Sequence, residues 1–122
     1  MKKIVFTFFL IYFLGVPIAQ AEWDKYDTSL MITSNLLLII DWSQTRYIVK
    51  HPERFSEENP ILGRHPSIGK VNTYFITSIL VNSAVGYILP NPYRKYWFGI
   101  ISGIELYTIG KNINCGVRFN LP

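Results

Sequence analysis

Four apolar stretches, separated by polar or proline-rich breaks, organise this chain. The first, Ile4 to Gly15 (IVFTFFLIYFLG), follows Met1-Lys2-Lys3 and precedes Val16-Pro17-Ile18 and Ala19-Gln20-Ala21. A positive start, a short apolar core and small residues at positions 19 and 21 form the pattern of an export signal. It predicts a signal peptide over 1–21, cleaved after Ala21, and a single domain over 22–122. The alternative is an uncleaved first membrane helix, tolerated by local thinning of the bilayer.

The other three stretches predict helices. Segment one covers about 29–49, after the helix-start residues Asp27-Thr28-Ser29, and carries Asp41 and Arg46. Segment two, 71–89, has no charge and has the length of about 20 residues that spans hydrocarbon. Segment three, about 96–112, is apolar except for Glu105 and Lys111. Leu89-Pro90-Asn91-Pro92 is a tight breaker, which makes segments two and three an antiparallel helical hairpin. The polar stretch 50–70 holds Pro52, Pro60 and Pro66, each stiffening the backbone and pushing its predecessor toward an extended conformation. The expectation is an all-α, three-helix transmembrane bundle with an ordered loop between its first two spans.

Composition sharpens this. Hydrophobic residues make up 49% of the 122 and charged residues only 16%, which excludes disorder and favours a bilayer over nucleic acid as the partner. The net charge of +4 is partly the export signal, and the remaining basic residues are scattered. With residue 22 outside, Arg46, Lys50, Arg54, Arg64, Lys70, Lys111 and Arg118 fall on the inner side, against Lys25, Arg94 and Lys95 outside. That asymmetry obeys the positive-inside rule and predicts a bacterial inner-membrane protein with a periplasmic mature N-terminus and a cytoplasmic C-terminus. Trp23, Tyr26, Tyr87, Tyr93, Tyr96 and Trp97 would then form an aromatic belt on the outer face.

Polar residues within the apolar segments are the candidates for chemistry. Asp41 and Glu105 fall at similar depth, and an intramembrane acid normally faces the bundle interior and has a partner. Asp41 and Thr45 share a face at i,i+4. Tyr74, Ser78 and Asn82 form a polar stripe on segment two, and Glu105 shares a face with Ser102, Thr108 and Asn112. Hydrogen bonding between helices is one reading of these groups; a proton path or a carboxylate pair doing acid–base work is the other. In the loop, His51 and His65 each precede a proline and match no metal spacing, so no metal or other cofactor is expected. There is no Walker spacing and no nucleophile elbow.

Asp41-Trp42-Ser43-Gln44-Thr45-Arg46, followed by Glu58-Asn59-Pro60-Ile61-Leu62-Gly63-Arg64-His65-Pro66-Ser67 and then Val71, Tyr74 and Phe75, resembles the pattern of a group of small bacterial and phage-borne membrane proteins. The resemblance covers most of residues 41–118 and implies that the loop is a specific element; it carries no activity with it. The leading expectation is a non-enzymatic accessory protein whose loop docks a protein partner through Arg46, Glu58, Asn59, Pro60, His65 and Ser67. The competing expectations are a membrane-embedded enzyme, with Asp41, Glu58, His65 and Glu105 as catalytic candidates, and a phage-type holin or superinfection-exclusion protein. A holin usually ends in a strongly basic tail, whereas residues 116–122 carry one charge.

Overall fold

The computed structural model describes residues 23–121. The segment expected to be an export signal, 1–21, lies outside them. Among the described residues there are three α-helices and no strand: α1 (Lys25–Lys50), α2 (Ile68–Ile88) and α3 (Tyr93–Asn114). α1 and α3 run beyond the apolar segments that announced them at both ends and α2 at its start, because polar end turns are helical too. Among the described residues no helix is long and apolar enough to cross a membrane.

Helix α1 begins a turn earlier than Asp27-Thr28-Ser29 suggested. Asp24 is the N-cap: its side chain accepts from the Asp27 backbone N–H, and the Asp27 side chain accepts in return from the Asp24 N–H. This reciprocal pair satisfies two of the donors that every helix start leaves open. Ser67 caps α2 by accepting from Lys70 N–H. At the far end of α3, Gly116 takes φ +87°, and the Val117 N–H turns back onto Asn112 O. That left-handed position is where glycine costs least.

Cross-helix bonds fix the directions. Asn35–Ser83, Ser34–Asn82 and Trp42–Asn72 pair α1 with α2 in opposite senses. Asp27–Arg94 and Gln44–Asn112 pair α1 with α3 in the same sense. The bundle is therefore up-down-up, and α2 and α3 form the expected hairpin.

Polar and apolar side chains share the interior, where Leu38, Ile48, Val71, Phe75, Phe98 and Ile109 are buried. Ser34, Asp41, Ser43, Gln44, Thr45, Asn82 and Arg94 are all buried, whereas Ile32, Leu36, Ile76, Leu80, Ile100 and Ile104 are about half exposed or more. A small apolar cluster of Leu62, Val71 and Phe75, with Trp42, Val49 and Tyr74 against it, sits where the loop meets α1 and α2. Leu62 thus ties the loop to the bundle.

Candidate functional site

The motif residues of α1 sit around one helical turn and a half, so they point in several directions, and each finds a polar partner. Trp42 Nε1 and Arg46 Nη1 both donate to Asn72 Oδ1 on α2, at 2.9 and 2.7 Å. Gln44, fully buried, donates to Ile109 O at 3.3 Å and accepts from Asn112 Nδ2 at 3.0 Å on α3. Ser43 Oγ accepts from the backbone N–H of Asn120, at 2.9 Å, and so holds the tail after α3. Thr45 Oγ1 donates to Asp41 Oδ1 at 3.3 Å, the i,i+4 pair read from the spacing.

Asp41 itself turns toward α3, where its carboxyl comes within hydrogen-bonding reach of Glu105. These two acids open onto a cavity of about 460 Å³ that the loop roofs over. Its walls include Thr45, Glu57, Glu58, Tyr107 and Lys111. Four acids from α1, the loop and α3 therefore line it: Asp41, Glu57, Glu58 and Glu105. One oxygen of Glu57 and one of Glu105 are sealed from solvent without a hydrogen-bond donor. Burial pushes the Glu57 carboxyl above its ordinary range, and the charge of Asp41 adds to the rise, against the opposing effect of the Asn59 backbone N–H.

The loop's own sequence explains its shape. Glu57 accepts from the N–H groups of Glu58 and Asn59, and its own N–H donates to Arg64 O. Asn59 Oδ1 accepts from Ile61 N–H, an Asx turn. Gly63 takes φ +83°, which a side chain rarely tolerates. Leu62 is buried, while Pro60, Ile61, Arg64 and His65 remain exposed.

The candidate residues are thus divided. Asp41 and Glu105 meet, and Glu58 lines the same cavity, ion-paired to Lys111 at its rim. Asn59 and Pro60 line it too. His65 does not, Ser67 is the cap of α2, and Arg46 is engaged by Asn72. Arg46 therefore approaches α2 rather than Asp41. Of the polar stripe on α2, Asn82 reaches across to Ser34 and Asn35, whereas Ser78 bonds back to its own helix at Tyr74 O. Of the two loop acids Glu57 is the more enclosed: two following backbone N–H groups curl onto it, while Glu58 stays at the exposed rim. Among the described residues no group of three or more His, Cys, Asp or Glu side chains has the arrangement to hold a metal ion.

No known protein family matches this chain, and neither the curated proteins nor the solved structures compared with it yield a match.

Proposed function

We propose that this is a small multi-pass protein of the bacterial inner membrane, with spans over 29–49, 71–89 and 96–112, acting by interaction rather than catalysis. One observation carries the reading: among its described residues the bundle buries as many polar as apolar side chains while its outward faces are apolar. Across 30–45, 71–89 and 96–110, no exposed position carries a charge, and the exposed large side chains are Ile, Leu, Val and Tyr. A soluble bundle buries such residues; in lipid, where apolar side chains gain nothing from being buried, interhelical hydrogen bonds and close packing hold helices together. Hydropathy averaged along one helix counts the inward Asn, Gln, Ser and Asp, although lipid meets only the outward face. The charges gather at the two ends, Asp24, Asp27, Arg94 and Lys95 at one and Lys50, Arg54, Glu58, Lys70 and Lys111 at the other.

The surface for a partner is the loop of 50–70. It is pinned by Glu57, Asn59, Leu62 and Gly63, yet presents Pro60, Ile61, Arg64 and His65 outward, and a preordered loop avoids part of the entropy lost on docking. A second reading, acid–base chemistry at the membrane boundary, is favoured by the convergence of Asp41, Glu57 and Glu105 on one cavity; it would use Glu57 in place of Glu58 and His65. Alkaline carbonate extraction and reporter fusions test the membrane reading. The protein should stay with the membrane, a cytoplasm-only reporter should work after Pro122, and a periplasm-only reporter should work within 91–94. Extraction into the aqueous phase overturns the membrane assignment, and reversed reporter activity overturns the orientation. Crosslinking from a photoreactive residue at Ile61 tests the docking loop. A discrete adduct, lost with Arg64→Ala and His65→Ala, is expected.

A further inference from the structure

We infer that a groove on the outer face of α2 is a site for one anionic phospholipid, with its phosphate on Lys70 and an acyl chain lying toward Val81. The inference rests on the membrane reading. The groove has a volume of about 650 Å³, bounded by Ile61 and Leu62 of the loop and by Lys70, Thr73, Thr77 and Val81 of α2. Three features select this occupant.

Length is the first. Lys70 and Val81 lie eleven residues apart on one helix, about 16 Å along its axis, close to the roughly 15 Å thickness of one hydrocarbon leaflet. The groove therefore reaches from a headgroup layer to the midplane, the extent of an acyl chain. Charge is the second. Among the described residues Lys70 is the sole ionic side chain on the lining, and it stands at the loop end, on the side where the other inner-face basic residues gather. Its Nζ donates once, to Leu62 O at 3.0 Å, which fixes the ammonium over the groove mouth and leaves two of its three donors for an acceptor. The third is space: a Cβ added at Gly69, beside the mouth, would meet nothing within 4 Å, so a headgroup has room there.

Native mass spectrometry of the full chain tests this. The protein is released from micelles doped with phosphatidylglycerol and phosphatidylcholine of identical chains at equal mole fraction. One lysine near a membrane surface corresponds to a preference of about fivefold for the anionic lipid. Retention of one phosphatidylglycerol at about that ratio, reduced to parity by Lys70→Gln with helical circular dichroism unchanged, is the expected result. Val81→Trp, which fills the deep end, should lower retention of both lipids. Equal retention of the two lipids by wild type, or no effect of Val81→Trp, overturns the site while leaving the membrane reading intact. Full displacement by glycerol phosphate would also overturn it, because the chain would then contribute nothing. Recovery of the protein in aqueous solution without detergent overturns the membrane reading itself, and that outcome is separately visible.

Discussion

Arg94 and Asp27, 67 residues apart in the chain, form an ion pair sealed from solvent, with Nη1 3.3 Å from Oδ2. The same guanidinium donates to Gly86 O at 2.7 Å and Tyr87 O at 3.3 Å and lies 4.6 Å from the Trp23 ring centroid. One side chain of α3 thus joins the start of α1 to the end of α2. Arg94→Met should cost about 3–5 kcal/mol, because it leaves a buried carboxylate facing only part of its donor set. The thermal unfolding midpoint should fall by roughly 10 °C or more. Arg94→Lys should recover part of the loss, since an ammonium replaces the charge but not the planar fork. An unchanged midpoint in Arg94→Met would show that the pair does not hold the bundle.

Acid should loosen the same end. Burial acts to raise the Asp27 carboxyl, but hydrogen bonds from Lys95, the Asp24 backbone, Asn91 and Arg94 outweigh it and hold the group below its ordinary value. The hydrogen bond from Lys95 lowers Asp24 as well. The folded state thus binds these protons less tightly than the unfolded chain. Its stabilisation is complete above the ordinary aspartate range and is lost as pH falls through the depressed folded values. Unfolding midpoints should therefore drop on acidification, and Asp27→Asn should both lower the neutral midpoint and flatten that acid limb. An acid limb of equal slope in the variant would assign it to other groups.

Close approach of α2 and α3 depends on Gly86. A Cβ built there would lie 2.0 Å from the Phe98 ring tip, and Phe98 is fully buried, so the ring has nowhere to swing. Gly86→Ala should force the helices apart at a cost of about 1–3 kcal/mol or more. Phe98→Leu in the same chain should return most of it, a non-additive pair in a double-mutant cycle. Strict additivity of the two changes would contradict the packing.

The helices and the hairpin were legible because uncharged runs and a Pro-Asn-Pro break report local structure. So was the Asp41–Thr45 pair, a matter of spacing within one helix. The Asp27–Arg94 clamp was not, because it depends on the register between helices that meet only after the loop is closed. The roles of Asn72, Asn112 and Asn120 as partners of the Trp42–Ser43–Gln44 run were hidden for the same reason. Glu57 and Glu58 are adjacent and chemically alike. The folded loop tells them apart: Glu57 takes the Glu58 and Asn59 N–H groups and is half-buried, while Glu58 stays exposed at the rim beside Lys111.

That difference has a pH signature. Burial raises Glu57, so the closed loop holds its proton more tightly than an open loop would. Closure is fully stabilised below the ordinary glutamate value and weakens as pH rises through the elevated folded value. A nitroxide at Ile61→Cys, in a Cys115→Ser background, should become more mobile as pH rises above the ordinary glutamate range. Glu57→Gln, always neutral, should remove that dependence. Persistence of the same pH response in Glu57→Gln would place its origin elsewhere.

Asp41 and Glu105 distinguish the two readings of the cavity. As packing groups they need only hydrogen-bonding capacity, which Asp41→Asn and Glu105→Gln retain, and in the first variant Thr45 can still donate to the side-chain amide carbonyl. Membrane abundance and whatever phenotype the deletion strain shows should then stay near wild type. Asp41→Leu should instead reduce abundance, because it leaves Thr45 and Glu105 facing an apolar side chain in the interior. As acid and base, the same two residues would have to exchange protons, which amides cannot do, so function would vanish while abundance held. We expect the first pattern, given that each of the neighbouring motif residues Trp42 to Arg46 makes a side-chain hydrogen bond within the fold. Loss of function at normal abundance in either amide variant would overturn the interaction reading in favour of chemistry at the membrane boundary.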